Sequence, residues 1–295
     1  MKRGSILVLI AALPVATFAA EVNERIDAAA NGQVVVRNVT GDIVVTGWDQ
    51  NAVQVTGEIA DSAERLDVRR DGDRIVVDVV YPENWQGNRD SAGDTDLAIS
   101  VPRGSELDVE TVSADIRVSG VDGEQRLVSV NGDIDLNDLA AEAQIESVGG
   151  DIRVTGRGAT SRTSANAVSG DIGLDGVSGE ISIGAVSGDI RIVGGLITRA
   201  VVESVSGDVN FRGQLAADAR FRATSTSGDI RLSFAGDAAA EYNLSSFSGD
   251  IDNCFGPSAQ QSRVGPPNTA ITFTEGNSGA RVDVSTMSGD IDLCQ

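Results

Sequence analysis

Ten aspartates recur along the chain in one sequence context, each followed by Ile or Val and all but one preceded by Gly. We call them the aspartate column: Asp42, Asp115, Asp133, Asp151, Asp171, Asp189, Asp208, Asp229, Asp250 and Asp290. From Asp115 to Asp250 the differences between neighbouring residue numbers are 18, 18, 20, 18, 19, 21 and 21. If consecutive copies stack, their carboxylates repel one another unless something compensates the charge.

Two kinds of compensation would leave the carboxylates ionised. An Asp that follows Gly at a corner accepts hydrogen bonds from backbone N–H groups, and this is the interpretation we favour. Oxygen ligands in a row also suit Ca²⁺, which makes Asp171, Asp189, Asp208 and Asp229 an alternative metal site in a calcium-binding solenoid. The repeat differs from the Gly-Gly-x-Gly-x-Asp nonapeptide of calcium-binding β-helices.

Paired carboxylates also perform glycoside hydrolysis, in which two acids lie about 5–10 Å apart. Any two neighbours in a stacked column meet that distance, so the distance alone has no diagnostic value. No stretch combines Asp, Arg and aromatic residues in a departure from the repeat, and the chain has only two Trp, two Tyr and seven Phe for stacking sugars. We therefore expect no enzyme activity, no catalytic residue and no cofactor. A polysaccharide-active β-helix enzyme is the alternative.

The two cysteines occupy matching positions in the repeat. Cys254 and Cys294 each lie four residues after an aspartate of the column, Asp250 and Asp290. If their coils are adjacent, the Cα atoms lie about 4.8 Å apart, which a disulfide can span. We predict a Cys254–Cys294 disulfide that fastens the last coil, with a looped-out excursion within residues 255–285. Two thiols without histidine are too few ligands for zinc.

The residues around each aspartate alternate with a period of two, which predicts a β-strand entered through a tight turn. Ile or Val follows the aspartate directly, and a further apolar residue stands three positions after it in nearly every copy. Val, Phe or Met stands three positions before it in all copies but one, and we expect all these columns to face inward. One such turn per ~20 residues predicts an all-β fold, a single-stranded parallel β-solenoid. Glycines that tolerate positive φ would form its corners: Gly170, Gly188, Gly207, Gly228, Gly249 and Gly289.

Four arginines stand two residues after an aspartate of the column: Arg117, Arg153, Arg191 and Arg231. By alternation they face outward, where they can pair with acids on neighbouring coils. Such exposed pairs contribute little stability each.

The sequence divides into three parts that form one continuous domain beyond the leader. Residues 1–20 have the charged start, short apolar run and small residues of a secretory signal peptide. Residues 21–102 are a less regular capping section that contains Trp48, Trp85, an antiparallel hairpin over Arg65–Arg70 and Ile75–Val80, and a surface loop over 82–94. Residues 103–295 are the regular repeats.

The composition restricts the partners. Lys+Arg number 23 against 44 Asp+Glu, a net charge of −21, and removing Lys2 and Arg3 leaves 21 against 44, or −23. Such a chain repels nucleic acid and anionic lipid headgroups. It has no histidine, and Lys2 is its only lysine, so the mature protein lacks the commonest general base and a Schiff-base amine. After signal cleavage we expect a monomer that is not an integral membrane protein.

Three features together resemble a known bacterial family: the repeated Val-Ser-Gly-Asp-Ile unit, the segment Val-Arg-Asn-Val-Thr-Gly-Asp-Ile-Val-Val-Thr-Gly-Trp at 36–48, and the strand Leu97 to Pro102. This is the β-strand-repeat domain-of-unknown-function family labelled "putative adhesin", and the resemblance covers essentially the whole mature chain. It implies the fold and supplies no site residues. Cys254-Phe-Gly-Pro and the final Asp-Leu-Cys are similar to a Gram-negative subgroup, which implies a periplasmic or secreted protein. We expect an exported, non-enzymatic, adhesin-like structural or binding element of the cell envelope, with an envelope protein or glycan as its partner.

Overall fold

The computed structural model describes residues 20–82, 94–236, 239–261, 269–277 and 279–294, and all regular structure within these ranges is β-strand. The predicted signal peptide, Trp85 and most of the predicted 82–94 loop lie outside them. In the described part of the chain, no helix is long and apolar enough to span a membrane.

The strands fall into three groups. The opening section contains β1 Ala20–Asp27, β2 Gln33–Trp48, β3 Ala52–Ile59, β4 Arg65–Asp71, β5 Arg74–Val80 and β6 Thr95–Pro102. The middle contains β7 Glu106–Ser119, β8 Gln125–Ser129, β9 Ile134–Leu139, β10 Ala143–Ser147, β11 Ile152–Gly156, β12 Thr160–Ser169, β13 Ile172–Ser187, β14 Ile190–Ser206, β15 Val209–Ser227 and β16 Ile230–Phe234. The final section contains β17 Ala240–Ser248, β18 Ile251–Asn253, β19 Gln260–Gln261, β20 Thr269–Glu275, β21 Arg281–Ser288 and β22 Ile291–Cys294.

Each coil of the middle section contributes one stretch of strand after its aspartate and another before the next Ser-Gly-Asp corner. The stretches after the aspartates pair in parallel from coil to coil, as Ile134 does with Ile152, and we call them the front sheet. The stretches before the corners pair in the same way, as Leu127 does with Ile145, and we call them the back sheet. The fold is therefore of the β-solenoid type, with like residues of successive coils in register.

The core lies between the two sheets and consists of aliphatic columns. The residue directly after each aspartate is buried in every coil, and Ile134, Ile152 and Ile190 have no exposed surface. The column three residues after the aspartate is also buried from Val118 to Phe211. These two predictions are confirmed. Burial of each such side chain stabilises the fold by about 1.5–3 kcal/mol before the entropy of ordering is subtracted.

The column three residues before each aspartate does not face the core, so that prediction is wrong. Eight of its side chains are between 39% and 61% exposed, Thr226 is exposed and Val39 is half-buried; the eight are Val112, Val130, Val148, Val168, Val186, Val205, Phe247 and Met287. Inward alternation instead places the residue four before the aspartate inside, where Ser147 donates to the carbonyl oxygen of Gly150 over 2.8 Å and accepts from its N–H over 3.0 Å. The Ser-Gly corner shifts the alternation by one residue, so counting by twos from the front sheet through the corner assigns the wrong face.

The order of the coils in the stack differs from their order in the chain at both ends. Strand β2 lies between the β5–β6 coil and β7, because Ile43 pairs with both Leu97 and Ile116. Strands β21 and β22 lie between the β15–β16 coil and the β17–β18 coil, since Val282 pairs with both Phe221 and Tyr242. The expectation that the Asp290 coil ends the stack is therefore wrong: residues 240–253 form the outer coil.

Antiparallel strands cover both ends of the stack, which departs from a simple solenoid. At one end β3 pairs with β6, β1 with β3, and β4 with β5, which confirms the predicted hairpin. At the other end β20 pairs with β17, and β19 with β20. The outermost strand β4 is Arg-Leu-Asp-Val-Arg-Arg-Asp, and charges on an edge strand oppose pairing with another chain.

Aromatic residues concentrate in the two end regions. Trp48 donates its indole N–H to the carbonyl oxygen of Ala52 over 2.8 Å, and the Arg25 guanidinium lies 5.1 Å from its ring centre, which fits the cap-packing role expected of it. Six rings form a connected cluster in the final coils: Phe211, Phe221, Phe234, Tyr242, Phe255 and Phe273. Burial raises the pKa of Tyr242. The rings thus pack the core and are not arranged as a platform for sugars.

Candidate functional site

The aspartate column is held by hydrogen bonds between coils. One carboxylate oxygen of each aspartate accepts the backbone N–H of the aspartate in the next coil, over 2.8–3.0 Å from Asp115 through Asp229, Asp290 and Asp250. This is the backbone compensation that we favoured, with the donor in the adjacent coil. Eight carboxylates, those of Asp115 through Asp229 and of Asp290, therefore each link one corner to the next; Asp250 takes part only as the last donor.

The structure adds one member that the sequence interpretation missed. Asp96 accepts the N–H of Asp42 over 3.1 Å and stands directly beside it in the register of β2 and β6. No Gly precedes Asp96, and this is why the repeat pattern did not reveal it. Its signal is the apolar alternation after it, Leu97 and Ile99, which matches the other coils.

The four aspartates of the alternative calcium site do not converge on a common point. Asp171, Asp189 and Asp208 each direct one oxygen at the next corner, and Asp229 at Asp290. In the ranges that the structure describes, no group of three or more His, Cys, Asp or Glu side chains is arranged to hold a metal ion. The column is a line of carboxylates, each bound to backbone, which is a poor match to the six to eight ligands that Ca²⁺ takes.

Three of the four arginines pair as predicted. Arg117 lies 2.6 Å from Asp42 in the neighbouring coil and 3.2 Å from Asp115 in its own, and Arg153 lies 3.7 Å from Asp133 in the neighbouring coil and 2.7 Å from Asp151 in its own. Arg231 bridges Asp208 and Asp229, each at 2.8 Å. Together with the N–H of Asp229, Arg231 lowers the pKa of Asp208. Arg191 has no ion-pair partner among the described residues, so the prediction fails for that residue.

The corner glycines are required by stacking as well as by backbone conformation. Gly170, Gly188, Gly207, Gly228 and Gly289 have φ between 131° and 150°. Gly249 does not have positive φ, yet a Cβ there would overlap with the carbonyl oxygen of Gly289, as one at Gly188 would with that of Gly170. The corners therefore approach one another too closely for any side chain.

The predicted disulfide between Cys254 and Cys294 is confirmed. The Cα atoms lie 5.1 Å apart, and Cys254 donates its backbone N–H to Leu293 in the adjacent coil. The bond joins the outer coil to the coil beneath it.

An exposed apolar row runs along the stack and is the most unusual surface that the structure presents. We call it the valine stripe, in stack order Val112, Val130, Val148, Val168, Val186, Val205, Thr226, Met287 and Phe247. From Val130 to Val205 it borders a groove of about 600 Å³ that crosses five coils. Large apolar side chains exposed in a contiguous row are typical of interaction surfaces.

Carboxylates accompany the stripe on both sides. Two residues before it in each coil stand Glu110, Val128, Glu146, Asn166, Gly184 and Glu203, and three residues after it stands the aspartate column. The groove lining contains Glu146 and Glu203 and no arginine. Within the described residues, Asp171 and Asp189 lie beyond ion-pair distance of any arginine. Along the groove the stripe thus has the aspartate column on one side, and on the other side Glu146 and Glu203 alternate with the uncharged Val128, Asn166 and Gly184; we call these two sides the acidic margins.

Sequence reasoning missed this surface because it assigned the row to the core. The missed signal is the hydroxyl residue that stands four before the aspartate in most coils: Thr111, Ser129, Ser147, Ser204, Ser225, Ser246 and Thr286. All seven are buried. In five of the seven, the hydroxyl forms a hydrogen bond with a backbone group of a corner, which favours the inward position of this polar column and the outward position of the apolar column beside it.

The chain is similar to one protein family and to several solved structures. The family model Toastrack DUF4097 matches residues 32–294. A solved structure described as a "putative lipid binding protein" from Parabacteroides distasonis ATCC 8503 has a TM-score of 0.53 at 13% identity, covering 92% of this chain and 96% of its own. One described as a "putative adhesin" from Bacteroides fragilis NCTC 9343 has a TM-score of 0.44 at 10% identity, again covering 92% and 96%. No curated protein matches the chain.

Proposed function

The chain belongs to the Toastrack DUF4097 family, as its sequence resemblance predicted, and we propose that it is an exported, non-enzymatic, adhesin-like binding element of the cell envelope. The valine stripe is its contact surface, and an envelope protein is its partner. A glycan partner, which the sequence left open, is less well matched by an apolar row.

The observation that carries this proposal is the contrast between two outward columns of the same fold. Two residues after the aspartates, the outward-facing front-sheet column, whose members are exposed or half-buried, reads Arg117, Asp135, Arg153, Gly173, Arg191, Asn210 and Arg231. The stripe, which is exposed as well, is apolar in every coil but one. Thr226 occupies the remaining position, so the backbone accepts a polar residue there. A requirement of folding therefore does not account for the valines, whereas contact with a partner does.

The carboxylates support a role without catalysis. Each member of the column from Asp115 to Asp229 is committed to a backbone N–H in the next coil, and many also pair with arginine. A general acid needs a raised pKa; within the column the pKa of Asp208 is lowered, and the carboxyl whose pKa burial raises, Asp292, stands outside the column, 3.4 Å from Arg231. These contacts suit a structural column.

Site-specific photo-crosslinking tests the proposal in intact cells. A benzophenone amino acid at Val168 samples the stripe, and one at Thr155, which is exposed on the front sheet, is the matched control. We expect an adduct with an envelope protein from Val168 and none from Thr155. Identical adducts from both positions, or an adduct from neither, would overturn the role of the stripe. Cleavage of an acidic polysaccharide that a single aspartate substitution abolishes would overturn the non-enzymatic role.

A further inference from the structure

We propose that the groove along the valine stripe binds a cationic amphipathic helix of a partner protein, with its apolar row on the valines and its basic residues against the acidic margins. This inference rests on the proposed function and names the chemistry of the partner.

The negative charge along the groove favours a cationic partner. Its lining includes Glu146 and Glu203 and no arginine, and the column beyond it contains Asp171 and Asp189. No arginine among the described residues lies within ion-pair distance of these four carboxylates. Carboxylates on both sides of an apolar row attract Lys or Arg on both sides of a partner's apolar row. The same carboxylates disfavour the headgroup of a phospholipid or a fatty acid.

The same charges exclude a second copy of the chain as the occupant. Two stripes facing each other would bring four acidic margins together in molecules that each have a net charge of −21. The covered ends of the stack also oppose joining through strand edges, because antiparallel strands occupy both. The occupant is therefore a different protein.

The hydrogen bonding of the back sheet favours a helix over an extended peptide. The stripe lies on the face of this sheet, whose backbone groups pair with neighbouring coils, as those of β12 do with β13 and those of β13 with β14. An extended segment laid across that face would find no partner for its own N–H and C=O groups. A helix satisfies its backbone internally and presents side chains only.

The dimensions agree with a short helix. Successive valines lie one coil apart, about 4.8 Å, so the groove from Val130 to Val205 is about 19 Å long between its end positions. A helix of about 13 residues has that length, and its turns repeat every 5.4 Å or so. Over three to four turns, the apolar row of such a helix stays within about half a coil of the valines. Gly184, near the middle of the groove lining, leaves room for larger side chains of the partner.

Binding of synthetic peptides to the purified mature protein tests this inference. The probe is a fluorescein-labelled 14-residue peptide with Leu at helical spacing and Lys elsewhere, measured by fluorescence anisotropy. The comparison peptide has Glu in place of every Lys. We expect the Lys peptide to bind at least about tenfold more tightly than the Glu peptide, and to weaken as salt screens the charges.

Two variants separate specific docking from general attraction to an acidic protein. Glu146→Gln with Glu203→Gln removes two charges beside the stripe. Glu124→Gln with Glu142→Gln removes two exposed charges elsewhere and is the matched control. We expect the first pair to weaken binding about fivefold and the second pair by less than about twofold. Equal weakening by both pairs, or equal binding of both peptides, would overturn the inference.

A third variant tests the apolar row itself. Val148→Thr, Val168→Thr and Val186→Thr together keep the shape and the charge, and Thr226 shows that the fold accepts Thr at this position. We expect a loss of at least about tenfold in affinity for the Lys peptide, with an unchanged melting temperature as the folding control. If the crosslink from Val168 forms but the Lys peptide does not bind, this inference fails and the proposed function stands. If neither is observed, both fail.

Discussion

Two apolar columns of this protein share a repeat and differ in environment. Ile190 stands directly after its aspartate and is completely buried, whereas Val186, three residues before it, is 48% exposed. Both columns are apolar in nearly every coil, and they are four residues apart, which in an unbroken strand would place them on one face. The Ser-Gly corner between them changes the face. Residue type therefore indicates a β-strand at both columns, but only the geometry of the corner tells which one forms the core.

The two columns are expected to differ most in how much they contribute to the free energy of unfolding. Ile190→Ala should lower the free energy of unfolding by about 2–5 kcal/mol, because it removes buried methyl groups and leaves a cavity. Val186→Ala should change it by about 0.5 kcal/mol or less, as for an exposed site. Denaturant unfolding of the two variants provides the measurement. Comparable losses would show that the stripe is part of the core.

A smaller effect is expected from the buried hydroxyl group of Ser147, which bonds to the corner beside it. Ser147→Ala removes the bonds to Gly150 and leaves a buried N–H and C=O without that partner. We expect a loss of about 1–2 kcal/mol in denaturant unfolding. Ala167→Ser, at the same repeat position, is the matched reverse change, since this coil already lacks the hydroxyl. If Ser147→Ala leaves the free energy of unfolding unchanged, the bonds between Ser147 and Gly150 do not stabilise the corner.

The aspartate column, which lies between the two apolar columns, should give a smaller and pH-dependent effect. Arg231 and the N–H of Asp229 lower the pKa of Asp208 in the folded protein. The resulting stability is present above the unfolded-state pKa of about 3.9 and is lost as the pH falls through the lower folded-state value. Because the Asp208 side chain is 38% exposed, the contribution is about 0.5 kcal/mol or less.

Acid titration of unfolding should therefore show a shallower loss of stability below about pH 4 for Asp208→Asn than for the parent protein. Asp175→Asn is a suitable control, because Asp175 is exposed and stands outside the column. Identical acid profiles of the parent protein and Asp208→Asn would refute the contribution.

The smallest expected effect is that of calcium. The column carboxylates point along the stack at backbone N–H groups and do not converge on a cation. We therefore expect the same melting temperature in chelator and in millimolar Ca²⁺. A rise of several degrees with Ca²⁺ would restore the calcium-binding alternative, and Asp189→Asn would then be expected to abolish the rise.

The parts of the fold that the sequence predicts are those with a local cause. Ile134 and Leu136 alternate within one strand, Gly188 stands where φ is positive, and Cys254 matches Cys294 in repeat position, so their placement follows from neighbouring residues. The valine stripe does not follow in this way, because its direction depends on how the corner turns. Nor does the stack order: the coil of Asp290 has the same pattern as the coil of Asp229, and nothing local states which coil it joins.

The interleaved ends have a consequence for how the molecule comes apart. A solenoid whose coils follow chain order can fray from either tip one coil at a time. Here the outer coil, 240–253, rests on strands formed by residues 281–294, and a disulfide joins the two. Residues 281–294 pair with coils on both sides, so they separate from the stack only after the outer coil has separated. Unfolding from this end of the stack is therefore expected to involve the last two coils together and not one coil at a time.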